Sequence, residues 1–289
     1  MNARRSASIA VAAGLAAAAL AGCRALPDRS GLGDEVALAL VRAEALAIHD
    51  LAASVTLSIE TADFEGTLDG ALVVEPPLRL RLRASKMMTD LFDLLITPAA
   101  VELYWFPDRR FFRRRLDAGA GGESGAAPSA AAAATPDADR RGPESFLANL
   151  DARALRLSLA GFELPEGELA SKRLGCFFGR DGTDFVIWDP LASGEQLERR
   201  FDGRSLLLDT ATLRNAASEI TLVATYDDYE LVGTHWIATT ATLEQRASGT
   251  CFRMTLDEIA LNEGALPGAF VLTPPAGCEI TEVGEVRQP

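Results

Sequence analysis

Histidine, cysteine and aromatic side chains are scarce in this chain: two histidines, four cysteines, and 7 % Phe, Trp and Tyr together in 289 residues. General acid-base chemistry and metal binding both need such groups in clusters. Neither His49 nor His235 has a neighbour at metal-ligand spacing, and no Gly-x-Ser-x-Gly elbow or glycine-rich phosphate loop occurs. Asp181, Asp184 and Asp189 are too dispersed for a calcium loop, and with Asp227-Asp228 and Asp257-Glu258 they read as solvated turns. The sequence therefore predicts no enzyme, no metal and no cofactor. Positive charge is also short, 28 Lys and Arg against 41 Asp and Glu. That balance excludes nucleic acid as a partner and disfavours general adhesion to anionic headgroups. The deficit is uneven, because between Arg79 and Leu116 nine basic residues face four acidic ones.

What the chain does have begins at its start. Arg4 and Arg5 precede an unbroken run of small apolar residues from Ile9 to Leu20, followed by Leu20-Ala21-Gly22-Cys23. A basic n-region, an apolar h-region and small residues before a cut make a secretory signal. The cysteine makes it resemble a bacterial lipoprotein signal, in which residues 1–22 are removed and Cys23 becomes the acylated first residue. Two or three acyl chains hold a protein firmly where one does not, each buried CH2 contributing about 0.8 kcal/mol. The expectation is a protein anchored in the cell envelope, with Arg24 in place of a retention aspartate directing it to an outer membrane, facing the periplasm. Cleavage leaves 289 − 22 = 267 residues with a net charge of 26 − 41 = −15. One bridge among the three remaining cysteines, Cys251 with Cys278, is expected in an oxidising compartment, with Cys176 left over; three reduced thiols are the alternative.

Residues 23–33 read as a tether. Val36, Leu40, Val41, Ala45, Ile48 and Leu51 then recur at helical spacing behind Asp34. After them the period changes to two. Val55, Leu57 and Ile59 alternate with polar residues, and Leu78, Leu80 and Leu82 alternate with Arg79, Arg81 and Arg83. Residues 54–116 are expected to form a meander of about five antiparallel strands with one dry face. Residues 117–142, rich in Ala, Gly and Pro, lack the large apolar side chains that offset ordering entropy and read as a flexible insertion. A second helix is expected from Pro143, carrying Phe146, Leu147, Leu150, Ala154 and Leu157. Further strands are expected at 174–178, 184–188, 204–209, 219–226, 234–243, 251–262 and 270–272, with turns at Arg180-Asp181-Gly182, Asp202-Gly203 and Asp227-Asp228. Between strands, Met87, Met88, Leu91, Phe92, Leu94, Leu95 and Ile96 crowd what reads as a connection. Methionine adapts to irregular apolar partners, so exposed Met87 and Met88 would mean contact.

The run from Phe64 to Leu82, with Phe92-Asp93-Leu94-Leu95 and Val101-Glu102-Leu103-Tyr104, resembles the receptor branch of the Lol-type outer-membrane lipoprotein carrier and receptor superfamily. Ala224 to Tyr229, Ile259 to Asn262 and Phe270 to Gly277 resemble its carrier branch, so the likeness spans about residues 34–283. It implies a mainly β (α+β) single domain over 34–289: an unclosed antiparallel β-barrel of about 11 strands with a helical lid and an apolar hollow for acyl chains of lipoproteins or lipids. A lipid-binding set of Leu80, Leu82, Met87, Met88, Leu91, Phe92, Leu95, Leu103 and Trp105 follows. In the receptor branch an exposed apolar residue after the leucine-rich strand helps place lipid in the membrane; Met87 and Met88 fall there, Met standing where that pattern has Leu. Implied partners are acyl chains, the membrane through its anchor, and a periplasmic carrier protein. The competing expectation is an envelope interaction protein with a filled core and the Arg109 to Arg115 patch as its contact.

Overall fold

The computed structural model describes residues 25–60, 65–76, 79–115, 177–190, 194–246 and 249–282. The signal, Cys23, Leu78, the 117–142 insertion, the second expected helix and Cys176 lie outside the described residues.

Among the described residues fourteen strands form one sheet that does not close on itself. In chain order they are β1 (Leu51–Glu60), β2 (Glu65–Glu75), β3 (Arg79–Lys86), β4 (Thr89–Ile96), β5 (Ala100–Trp105), β6 (Arg110–Arg115), β7 (Phe177–Asp181), β8 (Asp184–Pro190), β9 (Gln196–Phe201), β10 (Leu208–Arg214), β11 (Ile220–Val232), β12 (His235–Gln245), β13 (Thr250–Leu261) and β14 (Glu279–Glu282). Their order across the sheet is β14-β6-β5-β4-β3-β2-β1-β13-β12-β11-β10-β9-β8-β7. Every neighbour is antiparallel except the β14–β6 pair. The mainly β, unclosed architecture is as expected, with three strands more than the expected eleven.

Period-two patterning sets which face is dry. In β1, Leu51, Ala53, Val55, Leu57 and Ile59 are all buried, and their partners Val74, Leu72 and Leu68 on β2 continue the same inner face. A single described helix, α1 (Asp34–Leu46), packs Ala37, Leu38 and Val41 into that face. Asp34 does not cap it: Gly33 takes the N-cap position, and Asp34 and Glu35 fill the first turn, where acids suit the helix dipole. The helix stops at Leu46, and Leu51 opens β1 instead of extending the helical stripe. Arg180 meets Asp34 at one end of α1, and at the other Asn262 donates Nδ2–H to the Ala47 carbonyl while its Oδ1 accepts from the His49 amide. The helix, about 20 Å long, thus joins β7 to the end of β13, strands six steps apart in the sheet. Six steps at about 4.8 Å cover about 29 Å of arc. Only a strongly curled sheet is compatible with that bar across its lower mouth.

The outer face has its own cover. After β13 the chain crosses β1 to β5 to reach the free edge of β6, where β14 pairs in parallel. Arg81 binds Asp93 bidentately at 2.9 and 2.7 Å and donates to the Ala269 carbonyl at 2.9 Å, while Arg79 lies over the Phe270 ring. Residues 270–272, expected as a strand, belong to this irregular strap. The Cys251–Cys278 bridge does not form. Both thiols are free, and six strands separate β13 from β14 beside Cys278.

Candidate functional site

The site follows from the register of β3 to β6. Leu80 faces Ile96, Leu82 faces Leu94 and Ala84 faces Phe92; the row continues to Trp105, Leu103 and Val101 on β5 and to Phe112 on β6. Paired residues share a face, so these side chains form one apolar wall continuous with the α1 core. Of the expected lipid-binding residues, Leu80, Leu82, Phe92, Leu103 and Trp105 are brought together here. Phe92 and Trp105 stack at 6.4 Å with planes 5° apart, at the upper end of the wall. Leu80, Leu82, Leu94 and Leu103 are at most 2 % exposed. In this conformation the wall is closed to solvent except at the half-buried Trp105.

Leu91 sits at the irregularity between the Ala84 and Ser85 pairings, half-buried against the same core. Leu95 is different. It pairs with Arg81 and Glu102 on the outer face, where it is 2 % exposed beside the strap. An acyl chain on the inner wall cannot touch it, so Leu95 leaves the candidate set.

Met87 and Met88 form the two-residue tip of the β3–β4 hairpin. Met87 is 88 % exposed and Met88 fully so, and both have positive φ, 50° and 64°. Two-residue hairpins with positive φ at both positions favour Asn-Gly or Asp-Gly. A left-handed non-glycine residue costs about 1–2 kcal/mol, and the methionines also leave apolar surface in water. Neither choice serves the stability of the fold. Lys86 and Thr89 close the hairpin beneath them, and Arg83 pairs with Asp90 at 2.5 Å on the outer side.

The other arm of the sheet carries a feature that sequence reasoning missed. On β8 and β9, Phe185, Ile187, Asp189, Leu197, Arg199 and Phe201 occupy the inner face, by their pairing with one another and with Ala211 and Leu213 on β10. Arg199 is 1 % exposed and its guanidinium binds the Asp189 carboxylate. An ion pair on an otherwise apolar face holds only because each charge offsets the other's desolvation. The one signal in the sequence is the spacing Leu197-Glu198-Arg199-Arg200-Phe201, a strand with arginine at an inward position.

The remaining polar groups are structural. Asp202 Oδ1 accepts from the Ser205 hydroxyl and amide, both at 2.7 Å, and these bonds hold its carboxyl below the usual range. Burial pushes the Tyr229 hydroxyl well up; it donates to the Leu208 carbonyl. Burial also raises Cys251. His235 Nδ1 lies 3.2 Å from Glu44, fastening α1 to the β11–β12 hairpin. Among the described residues no group of three His, Cys, Asp or Glu could hold a metal ion.

No family model matches the sequence, and no curated protein resembles it significantly. Solved structures do. An outer membrane lipoprotein-sorting protein domain from Vibrio parahaemolyticus has a TM-score of 0.52 at 10 % identity, over 82 % of this chain and 96 % of that one. A LolA superfamily protein from Nitrosomonas europaea has a TM-score of 0.49 at 7 % identity, over 82 % and 97 %. The chain shares the fold of the Vibrio parahaemolyticus domain, the unclosed β-sheet that its sequence resemblance implies.

Proposed function

We propose that this protein is a non-enzymatic, lipid-anchored envelope component that takes acyl chains of lipids or lipoproteins against its inner wall and helps localise lipoproteins to the outer membrane. One observation carries the reading: a continuous apolar wall, Leu80, Leu82, Leu94, Leu103, Phe92 and Trp105, ends beneath a strained, exposed methionine tip. Apolar area removed from water contributes about 25 cal/mol per Å², and no polar partner on that wall needs satisfying. The closed wall must open for entry, which fits a handover from a soluble periplasmic carrier better than free uptake. Met87 and Met88 supply the apolar contact at which an acyl chain leaves for a bilayer. Anchoring through Cys23 and an outer-membrane address facing the periplasm are part of this proposal and rest on the sequence.

The test uses a soluble chain lacking residues 1–23 and a fluorescent long-chain fatty acid. Saturable binding, competed by a diacylated peptide and weakened at least ten-fold in Leu82→Arg or Leu103→Arg, is the expected result; absence of any binding by the folded protein defeats the proposal. The near-complete burial of the wall favours one other reading, an interaction protein with a filled core. That protein would bind no fatty acid and would be indifferent to Met87→Ser/Met88→Ser.

A further inference from the structure

The sheet has two rims, and the two ends of interest lie on opposite ones. The Met87-Met88 tip shares the upper rim with the β5–β6, β10–β11 and β12–β13 turns. The β7–β8, β9–β10 and β11–β12 turns form the lower rim. Residues 28–34 do not hang free. The Arg29 amide donates to the Arg204 carbonyl at 2.6 Å, and the Arg204 guanidinium meets Asp28 at 3.2 Å. Arg180 donates to the Leu32 carbonyl at 3.1 Å and approaches Asp34, and Arg29 pairs with Glu44 at 2.8 Å. Every one of these contacts is on the lower rim. The receiving surface is shaped for close approach: a Cβ on Gly203 would lie 1.5 Å from the Thr183 carbonyl oxygen, and Arg180 spans the two turns by donating to the carbonyls of Thr183 and Gly203.

Only four residues lie between Cys23 and Asp28, and the five residue steps reach at most about 17 Å. The tip stands about 25 Å above the lower rim along the eight residues of β3. It also lies on the far side of the mouth, six strands from β10. We propose that residues 28–34 are a catch: while docked, they hold the lower rim against the bilayer that carries the anchor and point Met87 and Met88 away from it, and the tip engages that bilayer only when the leash lengthens or the catch opens. The exposed pairs are individually weak, so the catch is built to open. This inference rests on the lipid anchor at Cys23 proposed above.

The experiment uses the full lipidated chain in phosphatidylethanolamine and phosphatidylglycerol vesicles with brominated acyl chains. An environment-sensitive dye is attached to M88C in a C176S/C251S/C278S background, Cys23 being blocked by its lipid. The docked protein is expected to show solvent-like emission and little bromolipid quenching. A Gly/Ser insertion of about twenty residues after Ala25 adds about 25 Å of reach and leaves the catch untouched; quenching is expected to rise at least five-fold. The D28A/R204A variant is expected to move in the same direction by a smaller step. Equal quenching in the parent and the insertion variant overturns the catch, as does a solvent-like tip in the folded insertion variant. Failure of the parent to float with vesicles removes the anchor, and the catch with it. Failure of fatty-acid binding alone strikes the proposed cargo and leaves this orientation test standing.

Discussion

The two arms of the sheet solve the same burial problem differently. In β4 to β6 both faces are dry: Leu94, Leu103 and Phe112 fill the inner side, while Leu95, Tyr104 and Phe111 are buried on the outer side. In β8 to β10 the inner face mixes Phe185, Ile187 and Leu213 with the buried Arg199–Asp189 pair. A wholly apolar wall accepts any acyl chain, since dispersion and water release have no direction. A charged pair in the opposite wall fixes geometry and tolerates no change on one side alone. Under the proposed function the first arm would take a variable hydrophobic cargo, and the second holds the sheet in one curvature.

The comparison breaks most sharply at Arg199. Removing it alone, R199A, leaves Asp189 buried without its cation and is expected to lower unfolding free energy by about 3–5 kcal/mol in urea titration. The double change R199M/D189L is expected to come within about 1 kcal/mol of the parent. If the single variant unfolds with the parent's midpoint, the two arms do not differ in this way. A smaller contrast separates the two faces of the first arm. L82A and L95A are each expected to cost about 2–5 kcal/mol, but only L82A weakens fatty-acid binding; an equal loss of binding in L95A would place cargo on the outer face as well. The smallest effect belongs to the lower rim. The Asp202 carboxyl titrates lower when folded than unfolded, so its contribution is present above the ordinary aspartate range and is lost as pH falls through the folded value. D202A is expected to cost about 1–2 kcal/mol near neutral pH, with the gap between variant and parent narrowing in acid. A gap that stays constant to pH 3 would assign the loss to packing and not to charge.

Legibility in the sequence tracked how simply each strand is buried. β1 and β3, with one dry and one wet face, alternate in sequence and were read as strands. β4 was read as a connection because Phe92, Asp93, Leu94, Leu95 and Ile96 are all buried, which erases the period of two. Its cover, the strap over the outer face, comes from nearly two hundred positions later and leaves no local trace. β9 escaped because an inward arginine looks like a polar turn until its partner Asp189 is known. Asp227-Asp228 read as a turn, but the strand β11 runs through it with its register to β12 unbroken; Asp228 has φ 55°, and its carbonyl and carboxylate accept from Thr239 and Thr240. The cysteine pairing failed for a topological reason: nearness to the chain's end says nothing about which edge of the sheet a strand joins. In the candidate site, the leucines of β3 and β5 and the methionine tip could be read from the sequence. The face on which Leu95 lies depends on register, and one residue of register reverses every side chain.

An unclosed sheet has two borders, and here both are meagre. Among the described residues β7 has five residues and β14 four, so the described ladder at the two opposite margins is nine residues. Borders that short give a poor template for strand addition. The sheet can therefore stay unclosed without its described margins inviting copies of the chain to polymerise along them.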